Sequence, residues 1–377
     1  MIISNLHTVG GKNIHIRIAG ENIASVYADA KNFPVDEEII DCENALVFPG
    51  LINSHDHLEF NLFPQLGNGI YKNYTDWAND IQLRYKETID RILQIPARLR
   101  IETGIYKNLL SGVTTVVNHG KKIDVTDSPV TVFQNAHSLH SVAFEKNWKW
   151  KLNTASSGMP VVMHIGEGTD ERAHEEIDQV LRWNFFKKKI VAIHGVSMGE
   201  KQAPGFRALV WCPASNLFFL GATAAVGVLK KHIPILFGTD SPLSAAGNVW
   251  KQLREARSLR LLNDQDVFST VTENANAVWK LDAGKISENS YADIVVAKKT
   301  FGSWDDFFSI NPENILLVIH HGQVRLFDEL FRDRLKTNEK DFTALPVGNS
   351  VKYVWGDLNP LLAEIKKHNV EDPFLLV

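Results

Sequence analysis

Cysteine is scarce in this chain: its 377 residues include two, Cys42 and Cys212, with no CxxC spacing. A disulfide framework and a thiolate zinc site are therefore excluded as organising features. Neither sign of charge dominates. The formal net charge is −4, and Lys and Arg are scattered apart from short clusters such as Lys187-Lys188-Lys189, which read as a solvated helix end. That balance gives no reason to expect nucleic acid or an anionic membrane as partner. No apolar run reaches transmembrane length, and the opening MIISNLHTVGGKNIHI has no basic stretch followed by an apolar one, so a cytoplasmic location is expected. There is no internal repeat and no low-complexity tract. The length accommodates one barrel of about 250 residues with a good deal of chain left over.

What the chain does have is five apolar runs, each closing on a metal-type ligand followed by a turn. They are LINSHDH (51–57), TTVVNHG (114–120), PVVMHIGEG (160–168), IVAIHG (190–195) and PILFGTD (234–240). Short Val- and Ile-rich runs bounded by Gly or Pro are buried parallel-strand candidates. In one parallel barrel their last residues converge on the C-terminal rim, where such barrels keep their active sites. Imidazoles and a carboxylate gathered there can bind a divalent cation.

The texture changes along the chain. Residues 1–49 alternate apolar and polar around Gly20-Glu21-Asn22, as a hairpin does. From 50 to 280, strand-like runs alternate with helical stretches at 171–183, 248–262 and 265–279, which implies βα units. From 281 to 327 the alternation of strands returns. The expected architecture is α/β: a (β/α)8 TIM-like barrel over 50–280, with a small β-sandwich assembled from 1–49 and 281–327. The tail, 328–377, has no assigned role, although 358–368 could be a helix.

His55 and His57 are two apart on a strand, so both point to one face and can grip one ion. His164, His194 and Asp240 each close a separate run. Taken singly, such a histidine is most often a rim or core residue and such an aspartate a turn or helix cap. Recurrence of the pattern favours a shared site.

These pieces resemble the metal-dependent amidohydrolase superfamily, in its cytosine deaminase, chlorohydrolase and adenosylhomocysteine deaminase branch. The matching segments are PGLINSHDHLEF, GVTTVVNHG, HIGEGTDE, VAIHGVSM, WCPASNLFFLG, GTDSPLS and GKISENSYADIVV, in family order. The resemblance implies that His55, His57, His164 and Asp240 bind one zinc or iron ion. It implies that Glu167 moves protons, that His194 polarises the attacking water or the carbon it attacks, and that Asp240 doubles as general base. Ser215 and Asn216 would shape the rim, and His137 and His140 fall where family members place substrate-contacting groups. The implied reaction is hydrolysis of a non-peptide C–N bond, by deamination or by opening a cyclic amide or amidine. The implied partner is a small, nitrogen-containing, cyclic substrate; a homo-oligomer is compatible with the resemblance.

The chain also departs from the pattern. His164 follows Gly120 by 44 positions, where relatives fit two full βα units, so one crossover is expected to be shortened or lost and the barrel distorted around strands three and four. No lysine in that region stands out as a bridging ligand, which favours one metal over two. The rival readings are a two-metal cyclic-amide or dipeptide hydrolase, and a binding barrel that has lost its reaction. His119 is not a ligand in this branch, which leaves it a rim or structural role. Glu59 reads as a residue that orients the first helix, His174 as exposed on a helix, and His320 and His321 as sandwich residues. Glu167 has an alternative role as a turn residue paired with Arg172.

Overall fold

A computed structural model describes residues 1–30, 33–34, 36–300, 302–370 and 374. Three sheets organise the chain. The barrel strands are β5 (Leu51–Asp56), β6 (Val113–Asn118), β7 (Thr131–Phe133), β8 (His137–Ser141), β9 (Val161–Ile165), β10 (Ile190–His194), β11 (Ala208–Trp211) and β12 (Ile235–Phe237). They follow β1 (Ile2–Thr8), β2 (Asn13–Ala19), β3 (Asn22–Tyr27) and β4 (Ile39–Pro49). Downstream lie β13 (Ile294–Ala297), β14 (Ile315–His320), β15 (Gln323–Asp328), β16 (Phe342–Val347) and β17 (Ser350–Trp355).

Every residue of β9 and β10 is buried, as strands of a parallel sheet covered on both faces must be. The sheets β12-β11-β10-β9-β8 and β5-β6-β7 are parallel throughout and meet at two seams. At the first seam, Asp240 N–H donates to His55 O at 3.0 Å and Thr239 N–H to Asn53 Oδ1 at 3.0 Å, locking the last barrel strand to the first. Gly238 is required here: a Cβ on it would lie 2.6 Å from the Cβ of His55.

The second seam explains the short spacing before His164. Only residues 134–136 separate β7 from β8, too few to return the chain for a second parallel strand, which takes a dozen or more. Residues 131–141 therefore run as one bent extended segment whose first part pairs with β6 (Val116 with Val132) and whose second pairs with β9 (Leu139 with Met163). Strands three and four are merged, and the lost piece is the βα turn between them. The crossover from β6 to β7 contains no helix either. Gln134 pins it instead, exchanging two hydrogen bonds with the Ile123 backbone at 2.8 and 2.9 Å.

Helices Glu171–Trp183 and Val249–Ser258 form close to expectation, each capped by a side chain, Asp170 and Asn248 respectively. The single helix expected over 265–279 is instead two, Asp264–Thr270 and Glu273–Trp279. The break frees the Val271 carbonyl to accept from Ile52 N–H of β5 at 2.8 Å, a tertiary bond that a continuous helix would forbid.

The nine-stranded sheet runs β16-β17-β15-β14-β13-β4-β1-β2-β3. Its central strands alternate between two cores with period two. Phe48, Val295 and Ala297 face the barrel, while Val47, Ile294 and Val296 face the core formed with Ile3, Ile16 and Ile23. Phe48 meets Trp250 and Phe307 edge-on at 5.7 and 5.3 Å, tying the sheet to the barrel's helical layer. The far edge curls back: Ile23 N–H donates to Ser290 O and Ala292 N–H to Glu21 O.

The tail left without a role by the sequence supplies β16, β17 and helix Asn359–Lys366. Lys352 of β17 is fully buried. Its ammonium donates to the carbonyls of Glu313 and Ile315 at 2.8 and 2.6 Å and to Asp328 Oδ2 at 2.5 Å. Removing one partner of a buried pair leaves the other charge uncompensated. Lys352→Met should therefore cost about 3–5 kcal/mol in urea unfolding. A loss below about 1 kcal/mol, the scale of an exposed pair, would show the tail to be an appendage rather than part of the sheet.

Candidate metal centre

The C-terminal ends of β5, β9, β10 and β12 deliver His55, His57, His164, His194 and Asp240 to one buried cluster. His194 and Asp240 end their runs at φ 69° and 57°. Left-handed backbone at a non-glycine residue costs on the order of 1–3 kcal/mol and is kept where the surrounding structure imposes it. Gly166, at φ 62°, turns the chain after β9 where a Cβ would come within 2.7 Å of Ile177, and so sets the position of Glu167.

The His164 Nε2 atom lies 3.3 Å from His55 Nε2 and 3.4 Å from His57 Nε2; Asp240 Oδ1 lies 3.4 and 3.8 Å from the same two nitrogens. Donors held at about 2.0–2.2 Å around a tetrahedral ion are spaced about 3.3–3.6 Å apart, so the four atoms stand close to ligand separation. His164 Nδ1 is 2.7 Å from the His140 carbonyl, an acceptor only. Its ring proton is therefore on Nδ1, and the Nε2 lone pair faces the cluster. Burial, then neighbouring imidazoles, hold His164 well below its usual range and His57 down at about 3, so both are neutral and able to ligate at ordinary pH. The donor set fits a divalent cation.

His194 differs. Asn216 Nδ2 donates to its Nδ1 at 2.9 Å, which leaves the proton on Nε2. That atom is 3.2 Å from Glu167 Oε1 and 4.0 Å from Asp240 Oδ2. His194 thus presents a hydrogen-bond donor where His164 presents a lone pair. Burial lowers its pKa to about 3.

The two carboxyls are driven apart. Burial opposes the charge on Asp240, but the hydrogen bond with His55 and the neighbouring histidines outweigh it and hold Asp240 well below its ordinary value. Ser215 and Ser244 hydroxyls donate to its Oδ2 at 2.6 and 2.9 Å. Burial, then the Asp240 charge, push Glu167 well above the usual carboxyl range. The surroundings thus favour the ionised form of Asp240 and the protonated form of Glu167, the direction of separation that acid–base chemistry requires. Glu167 faces His194 rather than Arg172, whose guanidinium reaches Thr75 at 3.4 Å.

The remaining sequence candidates divide. His140 lies beside the cluster, its ring 5.1 Å from that of His164. His137 is not brought to the cluster. It begins β8 at the opposite end of the strand, where its Nε2 is 3.0 Å from the Ser156 hydroxyl and backbone N–H. His119 is closer to the chemistry than its run suggested: its ring lies 4.4 Å from His164 and 5.2 Å from His55, with Nε2 buried and without a partner. Its signal in the sequence was position, since it closes a barrel run as His194 does. A further grouping, Asp293, His320 and His321, lies in the nine-stranded sheet. There both nitrogens of His320 are engaged, by Asp293 at 2.9 Å and Thr131 at 3.2 Å. Burial raises the Cys42 thiol to about 12 and Cys212 well above its ordinary value, so neither is a thiolate. Among the described residues no helix is long and apolar enough to cross a membrane.

No family model matches the chain. The 5'-deoxyadenosine deaminase of Methanothrix thermoacetophila is 25% identical over 339 residues, covering 76% of this chain and 81% of the relative. The 5-methylthioadenosine/S-adenosylhomocysteine deaminase of Caldicellulosiruptor saccharolyticus is 21% identical over 362 residues, covering 77% and 82%. In sequence, then, the chain is similar to metal-dependent deaminases over about three-quarters of its length. Solved structures agree on the fold. A zinc-bound adenosine deaminase from Xanthomonas campestris superposes with a TM-score of 0.72 at 14% identity, covering 97% of this chain and 98% of that one. The atrazine chlorohydrolase of Arthrobacter aurescens, complexed with zinc, gives 0.69 at 16%, covering 97% and 99%.

Behind Glu167 the chain buries a second carboxyl, Glu176. Its Oε1 accepts from the Tyr74 hydroxyl at 3.0 Å and from Val142 N–H at 3.1 Å, while Tyr74 N–H donates to the Glu167 carbonyl at 3.0 Å. Burial raises the Glu176 pKa from 4.5 to about 7. A carboxyl with a raised folded pKa contributes stability that is complete below its unfolded pKa and is lost as pH rises through the folded one. Between pH 5 and 8 that loss is on the order of 3 kcal/mol. Glu176→Gln, which keeps the accepting oxygen, should flatten this slope in urea unfolding at the two pH values. An unchanged slope would place the titration elsewhere.

Proposed function

We propose that this protein is a one-metal aminohydrolase that deaminates a nitrogen heterocycle, with adenine nucleosides as the first substrate class to test. The observation that carries the reading is the meeting of four donors at near-tetrahedral spacing, the Asp240 carboxylate among them, beside a second carboxyl, Glu167, held toward its protonated form. The names of the relatives point to the adenine ring. Zinc fits three imidazoles and one carboxylate. A dipeptide or cyclic-imide hydrolase with two metals lacks support in the donor set, since both donor groups at the barrel mouth share His55 and make one centre.

His55, His57, His164 and Asp240 would hold the ion, which supplies Lewis-acid activation of water, bringing its pKa from about 15.7 to about 7. The side chains do the rest. Asp240, ionised, takes the proton of the attacking water. His194, its Nε2–H fixed by Asn216, donates to the oxygen as it attacks. Glu167, protonated, gives its proton to the ring nitrogen beside the reacting carbon, which makes that carbon electrophilic. Glu167, now ionised, takes the remaining proton of the attacking oxygen and delivers it to the departing amine, and the proton held by Asp240 then restores the Glu167 carboxyl. Each transfer is between groups positioned within the cluster, the geometry that general acid–base catalysis needs.

Ammonia release should be seen with adenosine, 5'-deoxyadenosine or a related adenine nucleoside, be lost on chelation, and return on reloading with a single equivalent of zinc. Elemental analysis should find one equivalent retained after desalting. Hydrolysis of dipeptides or cyclic imides at two equivalents, with no ammonia from any purine, pyrimidine or triazine, would overturn the reading.

Glu167→Gln keeps size and much of the hydrogen bonding but cannot transfer a proton. It should lower kcat for an amine substrate by about 10²–10⁴-fold with metal content unchanged. The loss should shrink for an analogue whose leaving group is a halide. Equal losses on both would make Glu167 a positioning residue and remove the proton shuttle from the mechanism.

A further inference from the structure

The overall charge of −4 conceals a local reversal. Segments 144–158 and 182–189 together carry seven basic residues, Lys146, Lys149, Lys151, Arg182, Lys187, Lys188 and Lys189, against one acidic residue, Glu145. The two segments are packed side by side. Asn153 Nδ2 donates to the Trp183 carbonyl at 2.7 Å, Lys188 Nζ to the Ala155 carbonyl at 2.6 Å, and the Lys149 ammonium stands 4.1 Å over the Trp183 ring. Among these lysines three large apolar side chains stand in solvent: Trp150 is 67% exposed, Phe185 64% and Phe186 71%. Clustered exposed rings of this size mark an interaction surface.

We propose that this patch docks the protein onto an anionic lipid bilayer. Phe and Trp flanked by Lys are the side chains that seat in the headgroup region, the rings in its apolar margin and the ammonium groups against lipid phosphates and carboxylates. A second copy of the chain is the poorer occupant, because a two-fold contact would set two strongly basic patches face to face. Residues 182–189 lie at the N-terminal end of the strands, Lys189 immediately preceding β10, whose other end carries His194, while segment 144–158 runs from the C-terminal end of β8 back toward the start of β9. Docking through Phe185, Phe186 and the lysines after them leaves the metal centre at the far end of β10, open to a water-soluble substrate.

Flotation of the metal-loaded full chain tests this, using phosphatidylcholine vesicles with and without about 30% phosphatidylserine. Binding should require the anionic lipid and weaken as salt is raised. Phe185→Ser with Phe186→Ser should reduce partitioning by about tenfold, as should Lys149→Glu with Lys189→Glu. Ammonia release in solution should be unaffected by either pair. No flotation with anionic vesicles, or flotation unaltered in both variants, overturns the proposal. So does a serine variant that dissociates a dimer in light scattering, which would assign the patch to a second copy. Binding of single-stranded DNA in the absence of vesicle binding would assign it to nucleic acid, and likewise overturns it.

Discussion

The bond from Asp240 N–H to the His55 carbonyl holds both the fold and the centre together. It joins the last barrel strand to the first, so it closes the barrel. It also sets the two residues whose side chains face each other across the cation position at 3.4 Å. Asn53 reinforces it from below, accepting from Thr239 N–H and donating to the Thr239 hydroxyl at 2.7 Å. A slip of one residue at this seam would turn every side chain to the other face. Register at the seam and ligand geometry are therefore a single constraint.

Strand identity and the positions of the candidate ligands were legible in the sequence because they rest on local patterns. A buried parallel strand must be a continuous apolar run, and a ligand at its end must interrupt that run with His or Asp, as in VVMHI and IVAIH. The merged strand was legible only as a missing length before His164, since nothing in TVFQNAHSLHS states that its two halves pair with different neighbours. The break at Val271 and Thr272 was hidden for a similar reason: it serves a hydrogen bond to Ile52, far off in sequence. His137 stands away from the cluster and His119 beside it, a difference that residue type alone does not show. Both close or open a barrel run, but the end of the strand that each occupies, which decides whether it reaches the mouth, depends on pairing register and not on residue type.

The electrostatics follow from placing five histidines and two carboxyls where water is excluded. Burial disfavours every charge, which holds His57, His164 and His194 below their ordinary range and pushes Glu167, the carboxyl with weaker compensation, above its own. Only one anion can be held cheaply, and Asp240 is that anion because His55, Ser215 and Ser244 all bond to it. The acid and the base are thus assigned by hydrogen-bond count in a common low-dielectric pocket. Asn216 completes the assignment by fixing the tautomer of His194, which converts one histidine of the set from a potential ligand into a donor.

Merging strands three and four removes a βα loop from the barrel mouth while leaving the chemistry in place. The ligands and both carboxyls come from β5, β9, β10, β12 and the turns after them, none of which is altered by the merger. The merged segment touches the centre through the His140 carbonyl that sets the His164 tautomer, through the His140 ring beside that of His164, and through Ser138, whose hydroxyl lies 3.2 Å from His119 Nδ1. Pairing with β6 and β9 holds the segment in the barrel. A chain that shortened further would free His164 Nδ1 and lose the directed lone pair on Nε2. The candidate donors and the two carboxyls are therefore carried by strands other than the merged one, which bears on them through the orientation it gives His164.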